Sequence, residues 1–81
     1  DVQIGAGRLV AYRSASQADV VIVENPAMRS PIITDVEIRK APGRQKLACC
    51  SAPYAVLGED DECLSLRLRL PAEECAVLVL K

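Results

Sequence analysis

The residues of this sequence with the widest chemical repertoire are its four cysteines, Cys49, Cys50, Cys63 and Cys75. Thiols pair as disulfides, ligate soft metals or act as nucleophiles, and spacing decides among these uses. An even number in a short chain favours a disulfide framework. Cys49 and Cys50 are adjacent, with Cα atoms about 3.8 Å apart, below the roughly 4.4–6.8 Å of ordinary bridges. Each should therefore pair with one of the later two. Zinc sites want two close ligands separated by a short spacer, plus a second such pair. Here the first pair is adjacent, the second is widely spaced, and histidine is absent. No Cys-x-x-Cys redox motif occurs. The sequence favours two disulfides and implies no metal or other cofactor.

Which cysteines meet depends on the strands that carry them. Cys63–Leu70 alternates with a period of two, placing Leu64, Leu66, Leu68 and Leu70 on one side and Cys63, Ser65, Arg67 and Arg69 on the other. Pro71–Glu74 breaks the run, and Cys75–Lys81 is a second, almost wholly apolar strand. Read as a hairpin, this pair sets Leu70 opposite Cys75 and leaves Cys63 about 23 Å away along its strand. Matching faces then predicts Cys49–Cys75 in the core, with Leu47, and Cys50–Cys63 on the outside. Each bridge would contribute roughly 2–4 kcal/mol.

The other chemical groupings are weaker. Arg39, Lys40, Arg44 and Lys46 surround an Ala-Pro-Gly turn and predict a basic hairpin tip, suited to phosphate, sulfated glycan or an acidic protein surface. Nucleic-acid readers on β folds add aromatic stacking platforms, and this chain has only Tyr12 and Tyr54, so nucleic acid is disfavoured. Glu59–Glu62 is four consecutive acids, which lack the alternate spacing that wraps a calcium ion and read as a soluble loop. Gly5-Ala-Gly7 resembles the start of a dinucleotide fingerprint, but Val10 stands at the third glycine, leaving a turn. With no histidine, and with Ser14, Ser16 and Ser51 in turns without a base, the sequence argues against an enzyme.

The remaining elements are short strands. Val2–Ile4, Leu9–Arg13, Asp19–Glu24, Ile32–Arg39, Lys46–Cys50 and Tyr54–Leu57 precede the closing pair. Asp19–Glu24 is apolar throughout its interior, which asks for burial on both faces. In Ile32–Arg39 the residues Ile32, Thr34, Val36 and Ile38 face inward. Asn25-Pro26 to Ser30-Pro31 is a loop. About eight strands at roughly ten-residue spacing, with no helical period, predict an all-β fold. The expected form is a small antiparallel β-sandwich over residues 1–81, immunoglobulin-like in the broad sense and stapled by disulfides.

Composition bounds the function. The chain is 81 residues long, 51% hydrophobic and net −1, without Phe, Trp or His. The core must be Val, Ile, Leu and Ala. Residues 1–47 carry seven Lys and Arg against five Asp and Glu, and residues 48–81 carry three against six. No apolar run reaches a membrane span, and no secretory leader pattern is present. Starting at Asp1 suits a processed chain or a domain cut from a larger surface protein. The expectation is a non-enzymatic extracellular, cell-surface or virion-surface module with a structural or protein-binding role. The alternative is a small secreted inhibitor or ligand-binder acting through loop 24–31 or 39–46. A weaker third option is an intracellular barrel binding nucleic acid through the basic tip.

Overall fold

The computed structural model describes residues 2–14, 18–40 and 46–81. The described residues form eight strands and no helix. They are β1 (Val2–Ile4), β2 (Arg8–Ser14), β3 (Asp19–Glu24), β4 (Ile32–Arg39), β5 (Leu47–Cys50), β6 (Tyr54–Glu59), β7 (Cys63–Leu70) and β8 (Cys75–Leu80). The strands fall where the alternation placed them, to within two residues at each end.

They build two antiparallel sheets. Sheet A runs β1-β4-β7-β6 and sheet B runs β2-β3-β8-β5. In immunoglobulin domains the sheets run ABED and CFG, so the first two strands pair. Here β1 and β2 lie in different sheets, and the likeness stops at two antiparallel sheets. The second four strands repeat the first with the sheets exchanged. The bulges in β2 at Val10 and in β6 at Leu57 fall at corresponding places, whereas a third, in β5, has no counterpart in β1.

Alternation explains the core. Leu64, Leu66, Leu68 and Leu70 from β7 and Val36 and Ile38 from β4 meet Val21, Val23, Ala76, Leu78 and Leu80 from sheet B in one fully buried cluster. Thr34 is buried in the same row of β4, and its Oγ1 accepts the Ala6 amide at 2.8 Å. Gly5-Ala-Gly7 is thus the crossing from β1 to β2, fastened to β4, with no cradle for a phosphate.

Two pairings expected from sequence are not formed. β7 and β8 are not a hairpin: residues 71–74 carry the chain from sheet A to sheet B, so the two apolar faces meet across the core. β4 and β5 likewise lie in different sheets, so no basic hairpin exists there. Alternation specifies which side of a strand is buried, and an arch satisfies it as well as a hairpin does.

Backbone strain marks two crossings. Gly7 has φ of 87°, and a Cβ there would stand 2.9 Å from Glu24 O and 3.1 Å from Ile32 Cδ1. Glu73 has φ of 63°, the left-handed region that glycine occupies without cost. Gly7→Ala is expected to lose about 2 kcal/mol. Glu73→Gly should gain about 0.5 kcal/mol from relief of that strain. Urea titration reads both, and equal signs would refute this assignment of strain.

Candidate functional site

Of the basic group read from the sequence, Lys40 is neutralised, while Arg39 and Lys46 are exposed. Lys40 is only 4% exposed along its side chain, and its Nζ donates to Glu59 Oε2 at 2.8 Å and Asp60 O at 2.7 Å. The β6–β7 turn therefore sits on the end of β4 and neutralises it. Lys46 is exposed and pairs through its backbone with Lys81. Arg39 lies at the outer end of β4, opposite Cys63. Arg44 is outside the described residues. Lys40, Lys46, Glu59, Asp60 and Asp61 line an open depression of about 560 Å³ in which both charges are mixed.

Two of the four acids in the 59–62 loop, Glu59 and Asp60, are used to fasten it. Asp60 Oδ1 accepts the amides of Glu62 and Cys63, both at 2.7 Å, and these bonds hold its carboxyl below the usual carboxylate range. Glu59 is taken by Lys40. Among the described residues no three His, Cys, Asp or Glu side chains are grouped to hold a metal ion.

None of the four cysteines is paired. The expected Cys49–Cys75 and Cys50–Cys63 bridges fail for separate reasons. A bulge between Leu47 and Cys49 adds a residue to β5 and reverses the alternation beyond it. Leu47 and Cys50 consequently share the inner face, packed on the core, and Cys49 points to solvent. Cys49 pairs with Val79, whereas Cys75 lies opposite Glu24, about 13 Å further along β8. Cys63 is on the outer face of sheet A, and Cys50 is in sheet B. Burial pushes the Cys50 thiol up, away from its reactive form. Alkylation of the native protein is expected to reach Cys49 and Cys75 first and Cys50 last. Denaturation without reduction should expose all four, and an unlabelled mass at that step would overturn the assignment.

The residue that sequence reading passed over is Asn25. It is fully buried where β3 ends. Its Nδ2 donates to Ser30 O at 2.9 Å, Leu70 O at 3.1 Å and Pro71 O at 3.2 Å, and its Oδ1 accepts the Ala27 amide at 2.9 Å. Two backbone bonds, Asn25 N to Glu74 O and Glu73 N to Ala27 O, join the same two crossings. One side chain thus rigidifies loop 25–31 and ties it to loop 71–74. The loop presents Met28, 76% exposed. The available signal was an asparagine directly before Pro26 at the end of an apolar strand, a setting that favours a side-chain-closed turn.

The outer faces of the two sheets differ in chemistry. On sheet A the outward residues of the two central strands are Ile33, Asp35, Glu37 and Arg39 from β4 and Cys63, Ser65, Arg67 and Arg69 from β7, with Ile33 exposed among the charges. Arg67 grips Asp35 directly across the ladder, Nε to Oδ1 at 2.8 Å and Nη2 to Oδ2 at 3.2 Å, and holds that carboxyl below its ordinary range. On sheet B the outward rows run Arg13-Val20-Val79-Cys49 and Ala11-Ile22-Val77. The two central strands carry no outward charge until Glu24, which pairs with Arg8 at 2.7 Å on the rim. No helix of the described residues is long and apolar enough to cross a membrane. Comparison with protein-family profiles, with curated protein sequences and with solved structures gives no match for this chain.

Proposed function

We propose that this chain is a non-enzymatic protein-binding module whose docking surface is the outer face of sheet B. The observation that carries the reading is the charge asymmetry between the sheets. Val20, Ile22, Val77 and Val79 occupy the middle of one outer face without a charge among them, where the other sets acids and arginines around a single apolar residue, Ile33. Contiguous apolar surface with a polar rim is the usual mark of a protein interface. Its flatness suits the apolar face of another folded domain, with Arg8, Arg13 and Glu24 setting orientation at the margin. A secreted, cell-surface or virion-surface setting now rests on the fold class alone, because the cysteine pairs that favoured it are not formed.

The test is a photoreactive phenylalanine placed at position 77 or at position 37, irradiated in extract of the source cells. A discrete protein adduct from position 77 only, lost in an Ile22→Lys background, supports the reading. Equal adducts from both positions, or none from 77, would overturn it.

One observation favours the second reading, a small inhibitor or ligand-binder acting through a loop. The Asn25 network fixes loop 25–31 before any partner arrives, which lowers the entropy lost on binding. In that case Met28→Ala would abolish partner binding without altering stability, and Ile22→Lys would leave binding intact.

A further inference from the structure

We infer that β6 is a self-association edge, at which two copies of this chain pair their β6 strands antiparallel about a twofold axis through Ala55. The sandwich has four edge strands, and three are guarded. β1 and β5 are only three and four residues long, and β2 carries Arg8 and Arg13. Short length and charge are the ordinary defences against edge pairing. β6 is six residues long and uncharged from Tyr54 to Gly58. Every residue of it is exposed, with Tyr54 at 50% and Val56 at 54%.

The hydrogen-bonding phase of the strand determines the register. Arg69 N donates to Pro53 O at 3.1 Å, so Pro53 and Ala55 are the residues that bond β7. Tyr54 and Val56, opposite Leu68 and Leu66, turn their N–H and C=O groups toward the open edge. Two donor-acceptor residues spaced two apart are self-complementary. In an antiparallel pair each Tyr54 exchanges both backbone bonds with the other copy's Val56. Ala55 then faces its own twin at the axis, where strands approach most closely and a small side chain fits. Each Tyr54 ring lies beside the opposing Val56, a favourable aromatic and β-branched cross-strand pair. The bulge at Leu57 ends the ladder there, which sets its length at this segment.

Charge selects a second copy as the occupant. Antiparallel pairing brings Asp61 and Glu62 of each copy, the two acids of the turn that Lys40 and the turn's own amides do not use, to the end of the sheet where the other copy carries Arg69. A net charge of −1 leaves little self-repulsion to oppose association. The product is one continuous sheet through both copies, with both sheet B outer faces still open. This inference is therefore independent of the docking surface proposed above.

Sedimentation velocity from micromolar to millimolar concentration, combined with amide exchange, tests it. The expected result is a monomer–dimer equilibrium in which the Tyr54 and Val56 amides gain protection as the dimer fills. Val56→Pro removes an amide that β7 does not use, on an edge where proline is tolerated. It should abolish the dimer while circular dichroism stays unchanged. A monomer at millimolar concentration, or a dimer whose Tyr54 and Val56 amides exchange freely, would overturn the inference. The wild-type exchange measurement decides even where the proline variant fails to fold.

Discussion

Asn25→Leu is expected to cost about 3 kcal/mol, although leucine has the same γ-branched outline. The substitution removes the partner of the buried Leu70 carbonyl, of the Ser30 and Pro71 carbonyls and of the Ala27 amide. A buried group left without its hydrogen bond loses its hydration with nothing in return, about 1–3 kcal/mol each, and partial relaxation brings the total down. For a domain of this size that loss lowers Tm by about 15 °C. Asn25→Asp separates geometry from chemistry. Its carboxylate keeps the acceptor toward Ala27 and points a second oxygen at three carbonyls, so at neutral pH it should be no better than leucine. Acidification protonates that oxygen and turns it into a donor, so stability of this variant rises as pH falls. A Leu variant within 1 kcal/mol of wild type, by roughly the scatter of ordinary surface changes, would refute the anchoring role.

Leu66→Ala is the second large effect, about 3 kcal/mol. Leu66 stands at the centre of sheet A, between Val36 and Val56, and is fully buried. Truncation forfeits its transfer energy and leaves a cavity that a close-packed sheet cannot collapse to fill. Leu57→Ala, on the exposed bulge of β6, should change stability by less than about 0.5 kcal/mol. An 81-residue domain has a net stability of about 4–12 kcal/mol. Because no disulfide reinforces it, the Leu66 loss falls on the core alone. Chemical denaturation of both variants checks the contrast, and comparable losses would mean that the inner faces are misassigned.

Those assignments were the most legible part of the chain. The leucines of Cys63–Leu70 and the Ile32–Arg39 alternation each placed the buried side correctly, because a period of two has one reading on a half-buried strand. Strand partners were not legible. Nothing local in Pro71–Glu74 distinguishes a hairpin from a crossing, and the error carried into the cysteines. The Cys49 face depended on one extra residue in β5, which no side chain announces. The basic group read as a tip because Glu59 and Asp60, which neutralise Lys40, come nineteen or more residues later. Asn25 was legible as a turn former and illegible as a tie, since two of its acceptors, Leu70 and Pro71, lie in the other half of the chain. The apolar outer face of sheet B was present in sequence as strands without a polar side, Asp19–Glu24 and Cys75–Leu80, read there simply as burial.

The exchange of strands between sheets also sets a timetable for folding. Among the described residues, only β2–β3 and β6–β7 are pairs of consecutive strands; every other ladder joins segments far apart in sequence. β8 inserts between β3 and β5, so sheet B stays in two pieces until β8 arrives. Loop closure over such distances comes before its reward, which places folding in the slow range, milliseconds to seconds. The two hairpins are the available local nuclei. A chain emerging from the ribosome would hold β3 with one open side for the whole synthesis of the second half, and its valines would need shielding until then.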